Sequence, residues 1–130
     1  MYGQITKAVI FLLNMYNFLT MSLRMHKNTG EFCMHKYIYK ADTAYINIAI
    51  TGENYETINL VFKIDNSSSE LVNLTNIANK ELHVNIEEKG EYVLCFYPIF
   101  NSEITLTYDF YTDFERGHLM NLAKDGNYYQ

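Results

Sequence analysis

Gly90-Glu91-Tyr92-Val93-Leu94-Cys95-Phe96-Tyr97 is the stretch whose reading decides the fold. Side chains on a strand alternate between faces, so Tyr92, Leu94 and Phe96 point one way and Val93, Cys95 and Tyr97 the other. Both sets are apolar. A strand apolar on both faces belongs in the middle of a sheet, not at its edge. It also carries one of only two cysteines, the other being Cys33. The first hypothesis is a covalent tie between them.

Working outward, Glu87-Glu88-Lys89-Gly90 turns the chain into this strand. Pro98 ends or bends it, because proline has no N–H for the ladder. On the C-terminal side, Ile104 to Tyr111 alternates, with Ile104, Leu106, Tyr108 and Phe110 on one face. On the N-terminal side, Leu82 to Ile86 alternates, and so does Thr57 to Asp65 through Ile58, Leu60, Phe62 and Ile64. Tyr45 to Ile50 puts three isoleucines on one face. Phe32 to Tyr39 reads as the strand carrying Cys33, and Glu70 to Leu74 as a short strand. Turn signals separate them at Asn28-Thr29-Gly30, Lys40 to Thr43, Thr51 to Asn54 and Asp65 to Ser69. Seven or eight short strands with turns at regular spacing predict an all-β antiparallel β-sandwich.

The 130 residues suit one domain, and a hydrophobic fraction of 48% is enough for a core. Aromatic residues make up 15%, nearly all Tyr and Phe, which favour strands. The net charge is −5 and basic residues are scattered, so a phosphate-tracking nucleic-acid interface is not expected.

Residues 1–24 place Lys7 before an apolar stretch from Ala8 to Leu23, broken by Asn14 and Asn17. It is too short and interrupted for a good membrane span, and its charge-then-apolar order reads as a signal peptide. The competing reading is an amphipathic helix, with Val9, Leu12, Leu13, Tyr16 and Leu19 near helical spacing. The compartment decides the cysteines: a secreted chain would pair Cys33 with Cys95, and a cytosolic one would hold two buried thiols. A bond would close a loop of roughly sixty residues, worth about 4 kcal/mol in the chain-entropy model.

Chemistry finds little purchase. His26, His35, His83 and His118 show no metal-ligand spacing; only Cys33 and His35 share a strand face. No nucleophile elbow or phosphate loop is present, and Asp109 and Asp113 read as a solvated sheet face. Neither an enzyme nor a cofactor is expected. Asn66-Ser67-Ser68 and Asn73-Leu74-Thr75 are N-glycosylation acceptor motifs in or beside the polar loop. The tyrosine and phenylalanine excess raises a second reading, a secreted β-sandwich that stacks carbohydrate on exposed rings. Core and cross-strand packing is the simpler account of the same residues.

Gly90-x-Tyr92-x-x-Cys95-Phe96, with Phe100 after it and Tyr108-Asp109-Phe110 in the next strand, resembles the GOLD (Golgi dynamics) domain. The version in the emp/p-twenty-four (TMED) family of transmembrane cargo receptors is the best match. Cys33 stands at the family's first lumenal cysteine, and Gly52, the Ile58 to Ile64 strand and the Asp65 turn fit the same pattern. The resemblance covers Phe32 to Phe114. It departs at Pro98, where the family usually has Asn, and at Met34, where Phe usually follows the first cysteine. It implies a GOLD-like β-sandwich at 30–114 with one disulfide, Cys33 to Cys95. It implies a lumenal role between endoplasmic reticulum and Golgi, binding secretory cargo or sister family members, with homo- or hetero-oligomers expected. Family members continue into a coiled coil and a membrane span. Residues 115–130 are therefore expected to begin a helical extension, and membrane association is expected only if a span follows.

Overall fold

The computed structural model describes residues 20–53, 56–99 and 101–118. Eight antiparallel strands form two four-stranded sheets: β1 (Thr20–Met25), β2 (Phe32–Ile38), β3 (Asp42–Thr51), β4 (Ile58–Ile64), β5 (Glu70–Ile77), β6 (Lys80–Ile86), β7 (Gly90–Pro98) and β8 (Ile104–Thr112). One sheet, here sheet A, runs β1-β8-β3-β6, and the other, sheet B, runs β2-β7-β4-β5. This is the β-sandwich the alternation predicts.

The core lies between the sheets and takes alternate residues from each strand. Ala44, Ile46 and Ile48 of β3 and Ile104, Leu106, Tyr108 and Phe110 of β8 meet Ile58, Leu60 and Phe62 of β4 and Tyr92, Leu94 and Phe96 of β7. Aromatic rings bridge the layers: Phe62 meets Phe110 edge-on at 5.4 Å, and Phe96 meets Tyr108 at 5.2 Å. Such contacts add about 0.5–1.5 kcal/mol each beyond area burial.

Strand β7 sits inside sheet B, as its two apolar faces require. Its outward residues Val93 and Cys95 are also buried. Neighbouring strands cover them: Val93 lies between His35 and Lys63 in register, and Cys95 between Cys33 and Val61. Cys33 stands directly opposite Cys95 and is bonded to it, with Cα atoms 4.1 Å apart. The bond therefore ties adjacent strands of one sheet on its outer face; it does not cross the core.

Three features depart from the sequence reading. Thr20–Arg24, expected to end a signal peptide at 1–24, form most of β1, which pairs with β8 from Thr20↔Asp109 to Met25↔Ile104. Met21, Leu23 and Met25 alternate with polar residues there, and Met25 is buried. The mostly apolar run before them, with no Gly or Pro to end it, hides that change of period. Residues 1–19, and with them the rest of the leader reading, lie outside the described residues. Asp42 and Thr43 belong to β3 and not to a turn. Strand β5 extends to Ile77 through an irregularity opposite Ile58 to Leu60. There Asn76 takes φ +55°, a left-handed conformation that Asn tolerates, and its N–H donates to Asn59 Oδ1 at 3.1 Å.

Between β1 and β2, His26 caps the single 3-10 turn Lys27–Thr29, which Gly30 closes at φ +79°. At the far end, Gly52 leaves room for buried Glu56, whose carboxylate oxygen would lie 2.5 Å from a Cβ at residue 52. Ser102 donates to the other oxygen at 3.0 Å, so the loops after β3 and β7 meet over this carboxylate.

Two expectations follow. Replacing Cys33 and Cys95 together by alanine should lower stability by up to about 4 kcal/mol in denaturant unfolding, since the bond closes a long loop of the unfolded chain. A count of thiols on the unreduced, denatured protein should find none. Second, burial pushes the hydroxyl pKa values of Tyr92 and Tyr108 up. The folded state then holds protons that the unfolded chain releases near the ordinary tyrosine value of about 10. Stability should be flat below that pH and fall as pH rises past it. Unfolding midpoints measured alongside tyrosinate absorbance check this.

Candidate functional site

The residues singled out in the sequence are scattered over the sandwich. Asn66 is exposed in the loop after β4 at φ +63°. Asn73 is exposed on β5 and donates to Glu70 at 2.6 Å. Register places it on the outer row Cys33–Cys95–Val61–Asn73, the same face as the disulfide. The histidines do not converge. His26 caps the 3-10 turn, His35 lies 3.9 Å from Asp65 and 3.8 Å from Glu91, His83 packs on Tyr45 and His118 on Phe114. Among the described residues no group of three metal donors is found.

Two surfaces stand out. The first is a cleft of about 390 Å³ at the end of the sandwich where β2 and β8 finish and β3 begins. Its rim carries Tyr37, Tyr39 and Phe114, which are among the few exposed large apolar side chains of the described residues. Tyr37 and Tyr39 meet edge-to-face at 4.7 Å, and Lys40 lies 4.9 Å over the Phe114 ring. Exposed aromatic and cationic groups clustered at a concave surface are typical anchors for a protein partner.

A helix starts in this cleft, and its residues 113–118 are described. Thr112 caps it, accepting from Glu115 N–H at 3.2 Å, and its hydroxyl lies 3.3 Å from the Glu115 carboxylate. The sheets hold this first turn from two sides. Asp42 of β3 accepts from Phe114 N–H at 3.1 Å. Lys36 occupies a core-facing position on β2, opposite buried Tyr92. Its ammonium lies 4.9 Å over the Phe110 ring and reaches Phe110 O at 2.9 Å and both Glu115 oxygens at 2.8–2.9 Å. A hydrogen bond to Asp113, with that residue's charge, pushes the Tyr45 hydroxyl pKa up.

Sequence reading missed this junction, although Thr112-x-x-Glu115 is a capping-box signature. Lys36 carries no such signal, because its partner is 79 residues away.

The second surface is the outer face of sheet A. Register arranges it in rows: Tyr111–Tyr45–His83, then Thr20–Asp109–Asn47–Glu81, then Ser22–Thr107–Ala49. Tyr111 stacks on Tyr45 at 5.1 Å with planes 17° apart, and His83 meets the Tyr45 ring at 4.7 Å. Tyr45 is thus occupied by ring neighbours on the sheet, and stacking on its face is not what this surface offers. The Asn47 and Ala49 rows form a shallow groove.

The sequence profile of the emp24/gp25L/p24 family/GOLD matches residues 21–128. No characterised protein sequence matches the chain. Among solved structures, the pre-peptidase C-terminal domain of Bacillus anthracis collagenase is similar, with a TM-score of 0.59 and 15% identity over 71% of this chain and 87% of that one. The Yersinia pseudotuberculosis-derived mitogen gives a TM-score of 0.55 and 12% identity over 70% and 81%. At these identities the likeness is one of fold alone. Of the described residues, no helix is long and apolar enough to cross a membrane.

Replacing Lys36 by methionine tests the junction. The side chain is 19% exposed and its partner 37%, between an exposed and a buried pair. The expected loss is about 1–2 kcal/mol, intermediate between the two regimes. Amide exchange should quicken in residues 113–118 before it does in β7.

Proposed function

Because the chain belongs to the emp24/gp25L/p24 family of GOLD domains, we propose that it is a lumenal binding module of vesicle traffic. In this reading it works between endoplasmic reticulum and Golgi, holding secretory cargo or sister family members without catalysing a reaction. The observation that carries it is the family match over 21–128, which takes in seven of the strands whole, nearly all of β1, and the helix start. The Cys33–Cys95 bond supports it, since disulfides persist in oxidising compartments. We assign partner binding to the cleft of Tyr37, Tyr39 and Phe114. Homo- or hetero-oligomers form there, beside the junction from which the chain continues.

Asn66 and Asn73 fit the same compartment as N-glycan acceptors: both are exposed, and Asn73 would place its glycan over the outer face of sheet B. The β4–β5 side of that face would then be shielded from partners, leaving the cleft and sheet A.

The test is co-expression of the full chain with another family member in eukaryotic cells. Expected are colocalisation with endoplasmic reticulum and Golgi markers and an association that survives purification. Tyr39→Ala and Phe114→Ala should each weaken it about 5- to 30-fold, the range of an aromatic anchor worth about 1–2 kcal/mol. A cytosolic chain with two free thiols would sink the proposal.

A further inference from the structure

The groove on sheet A lies on a different face from the cleft, and the Tyr111–Tyr45–His83 row separates them. Its volume is about 390 Å³, within the lower range of small-ligand sites. Ala49 and Thr107 face each other in register on its floor, and Asp109, Asn47 and Glu81 lie across one end. Ile48 and Tyr108 also line it, but both are buried residues of the core stripe. Ala49 is therefore the apolar side chain that the groove presents.

The chemistry of this lining narrows the guest. A peptide bound through side-chain anchors needs apolar pockets, and a small methyl floor supplies none. A phosphate would face two carboxylates, Asp109 and Glu81, against one ammonium, Lys80. Metal binding lacks a set of three donors among the described residues. Carboxylates accept hydrogen bonds, whereas amides and hydroxyls both donate and accept. Two carboxylates, Asn47, Asn79 and two threonine hydroxyls thus call for a neutral guest dense in hydroxyl groups. Part of the lining is already fixed for that task. Thr20 donates to Asp109 Oδ1 at 2.5 Å, and Asn79 Oδ1 accepts from Ile50 N–H at 3.2 Å, leaving its Nδ2 as a donor.

We propose that this groove binds a neutral saccharide, gripped by hydrogen bonds from Asn47, Asp109 and Glu81 to vicinal hydroxyls over the small floor of Ala49 and Thr107. The grip is polar. Tyr108 lines the groove but is buried in the core stripe, and Tyr45 in the neighbouring row is packed against Tyr111 and His83, so no stacking platform takes part. The site stands apart from the cleft and does not depend on partner binding there.

The experiment uses the full, disulfide-bonded chain on an array of neutral glycans ending in mannose, glucose, galactose or N-acetylglucosamine. Titration with the best-bound free trisaccharide follows, read by amide chemical shifts. Expected are shifts at Ala49 and Thr107 in the unaltered protein and a loss of affinity of at least tenfold in Asn47→Ala and Asp109→Asn. Ala49→Tyr should abolish binding by filling the floor; residue 49 is exposed, so the sandwich tolerates the change. Tyr39→Ala should leave glycan binding unchanged while it weakens partner association, which separates this site from the cleft. Absence of any bound glycan, shifts confined to other faces, binding that survives Ala49→Tyr, or a lysine-rich peptide taking the groove in place of sugar would each overturn the proposal.

Discussion

Burial on both faces of β7 is the constraint on which the rest of the sandwich depends. Its inner face holds Tyr92, Leu94 and Phe96 against sheet A, and its outer face holds Val93 and Cys95. Among the described residues, no further layer covers the outer side. The cover comes from flanking strands, which β7 therefore needs on both edges. A slip of one residue would send Tyr92, Leu94 and Phe96 outward and leave Cys95 without Cys33 opposite. Register comes from burial, and the disulfide is its consequence. The bond stabilises by limiting the unfolded chain, while the contact between the two sheets is left to side-chain packing.

That ordering explains how much of the architecture was readable. Where one face is buried, alternation is strict, and β3, β4, β6, β7 and β8 follow their apolar periods closely. Strand β1 was not readable because no Gly or Pro separates Thr20–Met25 from the apolar stretch before it, and its short alternation becomes visible as a strand only through pairing with β8. The tail of β5 went unseen because Asn76 breaks the strand geometry with a positive φ that its bonds to Asn59 and Thr57 support. The surfaces were hardest. The cleft joins Tyr37, Asp42 and Phe114, and the groove joins Asn47, Glu81 and Asp109. Neither set is contiguous in sequence, and both exist only once strand order is fixed.

The two outer faces have become chemically different. Sheet B carries the disulfide, the exposed Asn73 and the His35 contacts with Asp65 and Glu91. Sheet A carries ordered rows of small, amide and carboxylate side chains that bond across strands, as Ser22 and Thr107 do at 3.0 Å. Cross-strand hydroxyl pairs of this kind stabilise a sheet modestly. They also hold polar groups in fixed positions without burying them, which lowers the ordering cost of binding a polar guest.

Lys36 shows how the sandwich is coupled to the chain beyond it. A lysine on a core-facing stripe would cost several kcal/mol if its charge were buried alone. Here β2 is an edge strand, so the stem covers apolar surface and the ammonium emerges at the cleft. It then satisfies Phe110 O from β8 and Glu115 from the helix together. One side chain thus fastens sheet B to the end of sheet A and both to the helix. Asp42 of β3 and Thr112 of β8 hold the same turn, so the start of the helix is fixed by three strands. A partner seated on Tyr39 and Phe114 would press on that turn directly, and force along the helix would reach the core stripe of β2 through a single ion pair.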